Sequence, residues 1–357
     1  MGLGAEWLYQ LLPSSASTGV DVGSRMVKIV QLKTASQKVV LDQLSIIDLA
    51  DSNPDYPKDT HLSERLKASL EANELTKKLK KIRAAGSNGH VQYIDLTLPK
   101  LPKKEFKQVI ANSLEEQYHR PLNQLVYDTQ IISESDTNVV RVFYSELAHS
   151  TQVLDAMIFA NLRPLQLSAS FLAIAEMLEF NDYTAKDKAV VVVEIGELST
   201  STILLLGPTV LAAHTHPAGL ASITGSVMNV HGMDYSQAES LKRQFFSGQL
   251  QTEKEVESTI SNAFTEVCEG IQKSIDYYQE QDIGTPISEI LLTGGGSAFL
   301  PFSFVLESHY RLKTSTIDPF RNIETLLGTE PIAPELVTAA APFAAVAVGL
   351  ALGGIDR

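Results

Sequence analysis

Residues 18–50 alternate between apolar and polar positions in the way typical of β-strands. Three stretches show this alternation, GVDVG, MVKIVQL and KVVLDQLSIIDL, and short turns separate them. Because successive side chains of a strand face opposite sides of a sheet, residues 18–50 are predicted to form three consecutive strands. After a polar loop, the segment LSERLKASLEANELTKKLKKIRAAG is predicted to be helical to about Gly86.

A second block, about residues 95–163, mixes the two periods. HVQYIDLTLP, LVYDTQII and VVRVFYSEL are predicted strands, whereas STQVLDAMIFANL is a predicted helix. KKEFKQVIANSLEEQY is a second predicted helix, because four of its apolar residues share one helix face. They are Phe106, Val109, Ile110 and Leu114. The block is therefore predicted to be a small inserted α+β subdomain.

The second half of the sequence predicts a buried sheet with helices. AVVVVEIG is apolar almost throughout, as expected of a central strand covered on both faces. STSTILLLG and TVLAAHTHP are predicted strands, and DYSQAESLKRQFF and residues 253–280 are predicted helices. ISEILLTGGGSAFLP predicts a strand, a glycine turn and a helix. Because Pro342 interrupts the small-residue segment AAAPFAAVAVGLALGGI, we expect a core helix there rather than a membrane span.

One internal similarity indicates a repeated unit. VDVGSRMVKIVQL, which begins at Val20, aligns with VEIGELSTSTILL, which begins at Val193. The alignment places Asp21 on Glu194 and Gly23 on Gly196. A repeated unit of strand, acid, glycine turn and strand predicts two domains of like topology that face each other.

Composition narrows the possible functions. The 357 residues are 44% hydrophobic and 20% charged, which suits a globular protein of about two domains. The net charge of −13 argues against a broad surface for nucleic acid or anionic lipid. Cys268 is the only cysteine, so no internal disulfide is possible, which fits a reducing compartment.

The first hairpin carries candidate phosphate-binding and metal-binding residues. Gly23 permits a tight turn in which backbone N–H groups approach an anion, and Ser24 adds a hydroxyl donor. Asp21 suits a hydrated Mg²⁺ ion, and Lys28 on the return strand faces either inward or to solvent. This motif alone also fits an ordinary hairpin.

Two further turns repeat the pattern. The second hairpin offers Glu194, with Gly196, Ser199 and Thr200, so Asp21 and Glu194 are the candidate metal ligands. The third turn comes between a strand and a helix, where glycines and a helix N-terminus favour an anion. Its candidate residues are Gly294, Gly295, Gly296 and Ser297. The glycine spacing fits neither a dinucleotide-binding fingerprint nor a P-loop.

The helix DYSQAESLKRQFF adds one more pair of candidates. Glu239 and Lys242 share one helix face at i and i+3. The same stretch also matches a capping box from Ser236 to Glu239, which needs no ligand. No residue is predicted to be catalytic, because no general base for hydrolysis is evident.

Taken in this order, the three turns make the sequence similar to the actin-like superfamily, which includes sugar kinases, chaperone ATPases and actin. Within it, the chain resembles the PilM family of type IV pilus assembly proteins from about Gly19 to Ile355. The resemblance rests on the first hairpin, on FKQVIANSLEEQYHRPLNQLVYDTQII, on GIQKSIDYYQEQ and on ILLTGGGSAFLPFSFVLESHYRLKTSTIDPF. It implies an α/β, two-domain actin-like (ribonuclease-H-like) ATPase fold with a small α+β inserted subdomain.

The resemblance also implies a division of the chain. Residues 17–93 and 164–187 would form the first actin-like domain, and residues 94–163 the inserted subdomain. Residues 188–335 would form the second actin-like domain. Residues 336–357 would form a connecting helix that returns to the first domain.

The function implied by the resemblance is that of a cytoplasmic scaffold. ATP with Mg²⁺ would bind in the cleft between the domains, in contact with the three turns and, as in chaperone-type members, with Glu239 and Lys242. The N-terminal peptide of a PilN-like inner-membrane protein would bind near residues 95–101 and helix 104–118. Other pilus platform and motor components, and other copies of the chain, are further expected partners. Membrane contact would be indirect, and any ATPase activity would be slow.

Two departures from the family pattern keep other functions open. The second hairpin carries Glu194 where the family usually has Asp, and Glu197 where it tends to have a small residue. If Glu197 faces the cleft, its charge would weaken nucleotide binding. The main alternative is therefore a degenerate actin-like scaffold of a secretion or division complex that binds no nucleotide. A small-molecule kinase and a polymerising division actin are further alternatives.

Overall fold

Three β-sheets and nine α-helices make up the described part of the chain. The structure is a computed structural model that describes residues 16–49, 62–75, 79, 81–86, 91–119, 121–134, 136–249, 254–280, 284–325 and 332–355. The sheet orders are β3-β2-β1-β4-β8, β11-β10-β9-β12-β13 and β5-β7-β6. Turns that follow strands of the first two sheets line the candidate site.

The first sheet begins with the three predicted antiparallel strands. Its strands are β1 (Ala16–Val22), β2 (Met26–Ala35), β3 (Lys38–Asp48), β4 (Ile82–Gly86) and β8 (Gln166–Ala169). β1 lies at the centre, antiparallel to β2 and parallel to β4. Helix α1 (Leu62–Ala72) follows β3 in the described chain, and α4 (Ser170–Phe180) follows β8.

The predicted helix up to Gly86 is wrong in its last part. Helix α1 ends at Ala72, and residues 82–86 form strand β4 instead. Glu74 and Lys81 have φ values of 53° and 50°, which a continuing right-handed helix excludes. Alanine favours helices in isolation, but Ala84 and Ala85 are fully buried beside β1 in a parallel ladder. Tertiary pairing therefore outweighs local propensity here.

The second sheet repeats the topology of the first. Its strands are β9 (Ala189–Ile195), β10 (Thr200–Leu206), β11 (Thr209–His216), β12 (Ile287–Thr293) and β13 (Lys313–Thr316). In both sheets, three antiparallel strands are followed by two parallel ones in the same spatial order. The fully buried run of β9 confirms the predicted central strand.

Four helices accompany the second sheet. They are α5 (Leu220–His231), α6 (Tyr235–Phe246), α7 (Lys254–Glu280) and α8 (Leu300–Tyr310). The sequence patterns predicted α6, α7 and α8, but α5 was not assigned. Its N-terminus packs on the turn between β9 and β10, where Leu220 N donates to Gly196 O at 3.0 Å.

The third sheet matches the predicted inserted block. It contains β5 (Gln92–Pro99), β6 (Leu125–Glu134) and β7 (Thr137–Glu146), with helix α2 (Lys103–Tyr118) beside it. Ile110 and Leu114 are buried in its core, and Phe106 and Val109 pack against that core, which confirms the predicted helix face. Helix α3 (Leu147–Phe159) instead shares the core of the first sheet. The domain boundaries given above remain a prediction.

The last helix, α9 (Pro334–Leu352), lies against β1 and α4. A Cβ added at Gly19 would come within 1.9 Å of Ala347 O, and one at Gly349 within 1.8 Å of Ala173 O. Only glycine permits such close backbone approach. By length and composition α9 could cross a membrane, but its second half is buried in the protein core, as predicted.

Candidate functional site

A cavity of about 350 Å³ lies between the first and second sheets. The hairpin turns after β1 and β9, helix α6 and the glycine turn after β12 surround it. Eleven of the fourteen predicted site residues line it: Asp21, Gly23, Ser24, Lys28, Glu194, Gly196, Ser199, Glu239, Lys242, Gly294 and Gly295. Apolar side chains of Leu220, Phe299 and Phe343 complete the wall, so the cavity has charged and apolar sides.

In the first hairpin, the backbone turn brings an acid and a base together. Gly23 N donates to Met26 O at 3.0 Å, which closes the turn. Lys28 lies opposite Asp21 in the ladder and points inward, because its Nζ donates to Asp21 Oδ2 at 2.9 Å. The sequence left the direction of Lys28 open, and the structure places it in the cavity wall.

The second hairpin rests on the start of helix α5. Gly196 N donates to Ser199 O at 2.9 Å, and Ala221 N donates to Glu197 O at 2.8 Å. Thr200 does not reach the cavity, because its Oγ1 donates to Ala218 O at 2.8 Å and the side chain is buried. Ser199 is therefore the predicted hydroxyl of this turn that lines the cavity.

The glycine turn after β12 contributes less than predicted. Gly294 has a φ of 82°, and its N–H is already bonded to Pro342 O of α9 at 2.8 Å. Gly296 packs on the side chain of Ile195, and Ser297 Oγ donates back to Gly294 O at 2.7 Å. The structure does not bring Gly296 and Ser297 to the cavity, since both serve to build the turn.

The two candidate metal ligands come from opposite sheets. Burial and the nearby charge of Asp21 together raise the pKa of Glu194 to about 7, although Lys28 opposes the shift. This excess of negative charge is the kind that a hydrated divalent cation relieves. Among the residues that the structure describes, no group of three or more His, Cys, Asp or Glu side chains forms a metal site. Asp21 and Glu194 are the two carboxylates that could hold a hydrated Mg²⁺ ion here.

The capping box predicted from Ser236 to Glu239 is wrong. Helix α6 is capped two residues earlier by Asp234, whose carboxylate accepts from Gln237 N at 2.8 Å. Glu239 is therefore not needed at the helix end. Its Oε2 accepts from Lys242 Nζ at 2.7 Å and from Thr224 Oγ1 at 2.9 Å.

These contacts determine the charge of Glu239. Burial alone would raise its pKa, but the ammonium group of Lys242 and the guanidinium group of Arg25 outweigh burial and lower the pKa to about 2. Glu239 is thus ionised at any physiological pH. Lys242 is almost fully buried, so the pair is a fixed part of the cavity wall.

Sequence reasoning missed Arg25, which lines the same cavity. Arg25 stands in the first turn, and its Nη1 lies 3.7 Å from Glu197 Oε1 in the second turn. Glu197 does face the cleft, and burial raises its pKa although Lys242 and Arg25 oppose that shift. The sequence offered one indication of this pair: the aligned hairpins carry Arg25 in the first turn and Glu197 in the second.

The comparisons with known proteins identify the family. A family model described as "Type IV pilus assembly protein PilM" matches residues 19–355. No curated protein sequence matches the chain significantly. A solved structure of a "PilM-PilN type IV pilus biogenesis complex" is 22% identical, with a TM-score of 0.78, over 96% of this chain and 99% of that one. That likeness shows a shared fold.

A second solved structure is more distant. The ethanolamine utilization protein EutJ from Carboxydothermus hydrogenoformans is 14% identical, over 96% of this chain and 90% of that one. Its TM-score is 0.49, so we base no argument on this likeness.

Proposed function

Because this chain belongs to the family of type IV pilus assembly protein PilM, we propose that it is an ATP-binding scaffold and switch of pilus assembly. Its fold is that of the actin-like proteins, as the sequence resemblance implied. We also propose that it binds the N-terminal cytoplasmic peptide of a PilN-like inner-membrane protein. It would thus act in the cytoplasm, at the inner membrane through its partners.

The observation that carries nucleotide binding is the cavity between two sheets of like topology. Ser24 and Ser199 offer hydroxyl groups from two facing turns. Gly23 and Gly196 close these turns with their own N–H groups and, without a Cβ, let an anion approach the backbone. Its apolar wall suits a flat base. A volume of about 350 Å³ lies at the lower end of the range for small-molecule sites.

Mg²⁺ would be held by the carboxylates of Asp21 and Glu194. A bound divalent cation offsets the charge of phosphate groups, and Mg²⁺ keeps several waters while it does so. Asp21 and Glu194 approach from opposite sheets, so one ion would bridge both halves of the protein. Lys28 of β2 would add a second positive charge beside the ion, next to Asp21.

A switch is favoured over an efficient enzyme. Glu197 and Glu239 are the other carboxylates of the cavity, and Arg25 and Lys242 pair with them. Neither is a good general base, because the pKa of Glu239 lies far below the operating pH and Glu197 Oε1 accepts a hydrogen bond from Tyr235 OH. Glu194 is assigned to the ion in this proposal. We therefore expect slow hydrolysis at most.

Strand β5 supports the peptide-binding part of the proposal. It is an edge strand that pairs with β7 alone among the described strands, so its outer edge is available to an extended peptide. Asp95 of β5 also binds Arg141, which reaches carbonyl oxygens of β11 in the second sheet. A peptide on β5 would therefore lie next to a direct link to the second sheet.

Isothermal titration calorimetry with Mg·ATP tests nucleotide binding. Micromolar binding by the wild type, lost in Asp21→Asn and kept in Asp42→Asn, would support the proposal. Asp42 is a matched control because its partner, Lys33, lies in the first sheet away from the cavity. The same titrations with a PilN-like N-terminal peptide, with and without ATP, test the switch.

A scaffold without nucleotide is the second candidate. It is favoured by the ion pairs of Arg25 that already cross the cleft. Absence of ATP binding by a folded wild-type protein that still binds the peptide would establish this second candidate and overturn the first.

A further inference from the structure

The side chain of Arg25 is anchored in the first sheet. Its Nε and Nη2 both donate to Asp48 Oδ2 at 3.1 Å. Its carbonyl oxygen accepts from Leu49 N at 2.7 Å. Two nitrogens of the guanidinium group are therefore held by Asp48 at the end of β3. The third nitrogen, Nη1, points toward the second half of the chain.

That remaining nitrogen reaches across the cleft to the second sheet. Nη1 donates to Tyr235 OH at 2.5 Å and lies 3.2 Å from Glu239 Oε1 and 3.7 Å from Glu197 Oε1. Tyr235 OH in turn donates to Glu197 Oε1 at 3.3 Å. We call Arg25, Glu197, Tyr235 and Glu239 the cross-cleft cluster.

The cluster is shielded enough for its contacts to be strong. The side chains of Arg25, Glu197 and Glu239 are 11%, 8% and 11% exposed. Ion pairs at such burial are screened little by salt. The cluster thus resists separation of the two sheets far more than a surface ion pair would.

The cluster also lies inside the ligand cavity. Arg25, Glu197 and Glu239 all line it, together with the turns proposed to bind phosphate. A guanidinium group binds phosphate oxygens in the same forked geometry in which it binds carboxylates. An anionic ligand and Glu197 therefore compete for one cation, and Glu197 itself repels the ligand.

We propose that the cross-cleft cluster holds the two halves together in the ligand-free protein. A nucleoside triphosphate would break the cluster, because its phosphate oxygens bind Arg25 in place of Glu197 and Glu239. This step rests on the proposed nucleotide binding, whereas the ligand-free contact does not. In the ligand-free state Arg25 pairs with Glu197 and Glu239, and in the ligand-bound state it pairs with phosphate. Two arrangements that exclude each other are what a population shift requires.

The ligand-free part is tested by a distance measurement without nucleotide. Spin labels are attached to cysteines introduced at Ala68 of α1 and Ser240 of α6, which are exposed on opposite sides of the cleft. Double electron–electron resonance should give one narrow distance distribution in the wild type, and broader, longer ones in Arg25→Gln and Glu197→Gln. Lys33→Gln, which breaks an ion pair within the first sheet, is the matched control and should leave the distribution unchanged. Unchanged distributions in both cluster variants would overturn the proposal.

The ligand-paired part is tested by Mg·ATP titration of the same variants. Glu197→Gln removes the competitor and should tighten ATP binding by about 3- to 10-fold, whereas Arg25→Gln removes the cation and should weaken it about tenfold. A merely structural contact would move both affinities in the same direction, which would overturn the exchange of partners. If the wild type binds no ATP but the distance distributions broaden as expected, the proposed nucleotide function fails and the ligand-free contact stands.

Discussion

Lys28 lies directly opposite Asp21 in the ladder of β1 and β2, and its ammonium group donates a hydrogen bond of 2.9 Å to Asp21 Oδ2. Glu194 approaches the same place from the second sheet, and its pKa responds to both of these charges. One lysine therefore balances two carboxylates that the two halves of the chain bring together. Asp21, Lys28 and Glu194 thus form a charged triad that joins the two halves.

Replacing Lys28 with Met should destabilise the protein by about 1–3 kcal/mol, because two carboxylates would then lie close together without their cation. Urea unfolding at neutral pH measures the loss. Lys33→Met is the matched control, since Lys33 pairs with Asp42 on the same strand pair outside the cavity. Equal losses in the two variants would show that the triad has no special electrostatic role.

Glu194→Gln should change how stability depends on pH. The folded-state pKa of Glu194 is raised to about 7 from an ordinary value of 4.5. The stability that its protonated form contributes is fully present below pH 4.5 and is lost as the pH rises through 7. The Gln variant, which cannot ionise, should gain about 3 kcal/mol over the wild type between these limits.

Urea unfolding of both proteins at several pH values, without divalent cations, measures this difference. A difference that stays constant from pH 4.5 to pH 8 would contradict the raised pKa. Adding Mg²⁺ at pH 8 should stabilise the wild type more than the variant, if the ion binds at Asp21 and Glu194.

Gly349→Ala should unfold or severely destabilise the protein, by about 3 kcal/mol or more. The new Cβ would lie 1.8 Å from the backbone oxygen of Ala173, so α9 and α4 would have to move apart. Gly225→Ala is the control, because nothing lies within 4 Å of the added Cβ in α5. That variant should instead stabilise by about 0.5–1 kcal/mol, since Ala favours a helix interior. Thermal unfolding distinguishes the two outcomes.

Arg141→Met should loosen the contact between the third and second sheets. Arg141 is buried, binds both oxygens of Asp95, and donates to Leu211 O at 2.5 Å. Its loss leaves carbonyl oxygens of edge strand β11 without this donor. Hydrogen–deuterium exchange should therefore rise in β11 and β5 while β9 stays protected. Equal exchange in wild type and variant would show that the sheets are held by other contacts.

Local patterns sufficed for most of the framework. Alternation predicted β1, β2 and β3, the apolar run predicted β9, and helical spacing predicted the buried face of α2, because these patterns reflect burial directly. The strand β4 was mistaken for helix because its Ala-rich sequence is neutral until β1 pairs with it. Short segments of this kind carry no periodicity that sets them apart.

The candidate site was likewise predictable only in part. Eleven of fourteen predicted residues line the cavity, because glycine and acid positions next to turns follow from sequence order and repeat. Thr200, Gly296 and Ser297 do not line it, because their side chains or backbones complete the turns themselves. A turn motif predicts which residues lie near the cavity. It does not predict which of their groups face the cavity and which bond within the protein.

By itself, the sequence determined the repeated hairpins, the family and the acidic pair Asp21 and Glu194, since each depends on residues near one another in the chain or on recognisable order. Only the tertiary structure decided that Lys28 points inward, that Glu239 binds Lys242 and does not cap its helix, and that Arg25 forms an ion pair with Glu197. These contacts join residues as far as 214 positions apart, as between Arg25 and Glu239. Their geometry exists only after the two halves of the chain have packed together, because the partners are close in space and not along the chain.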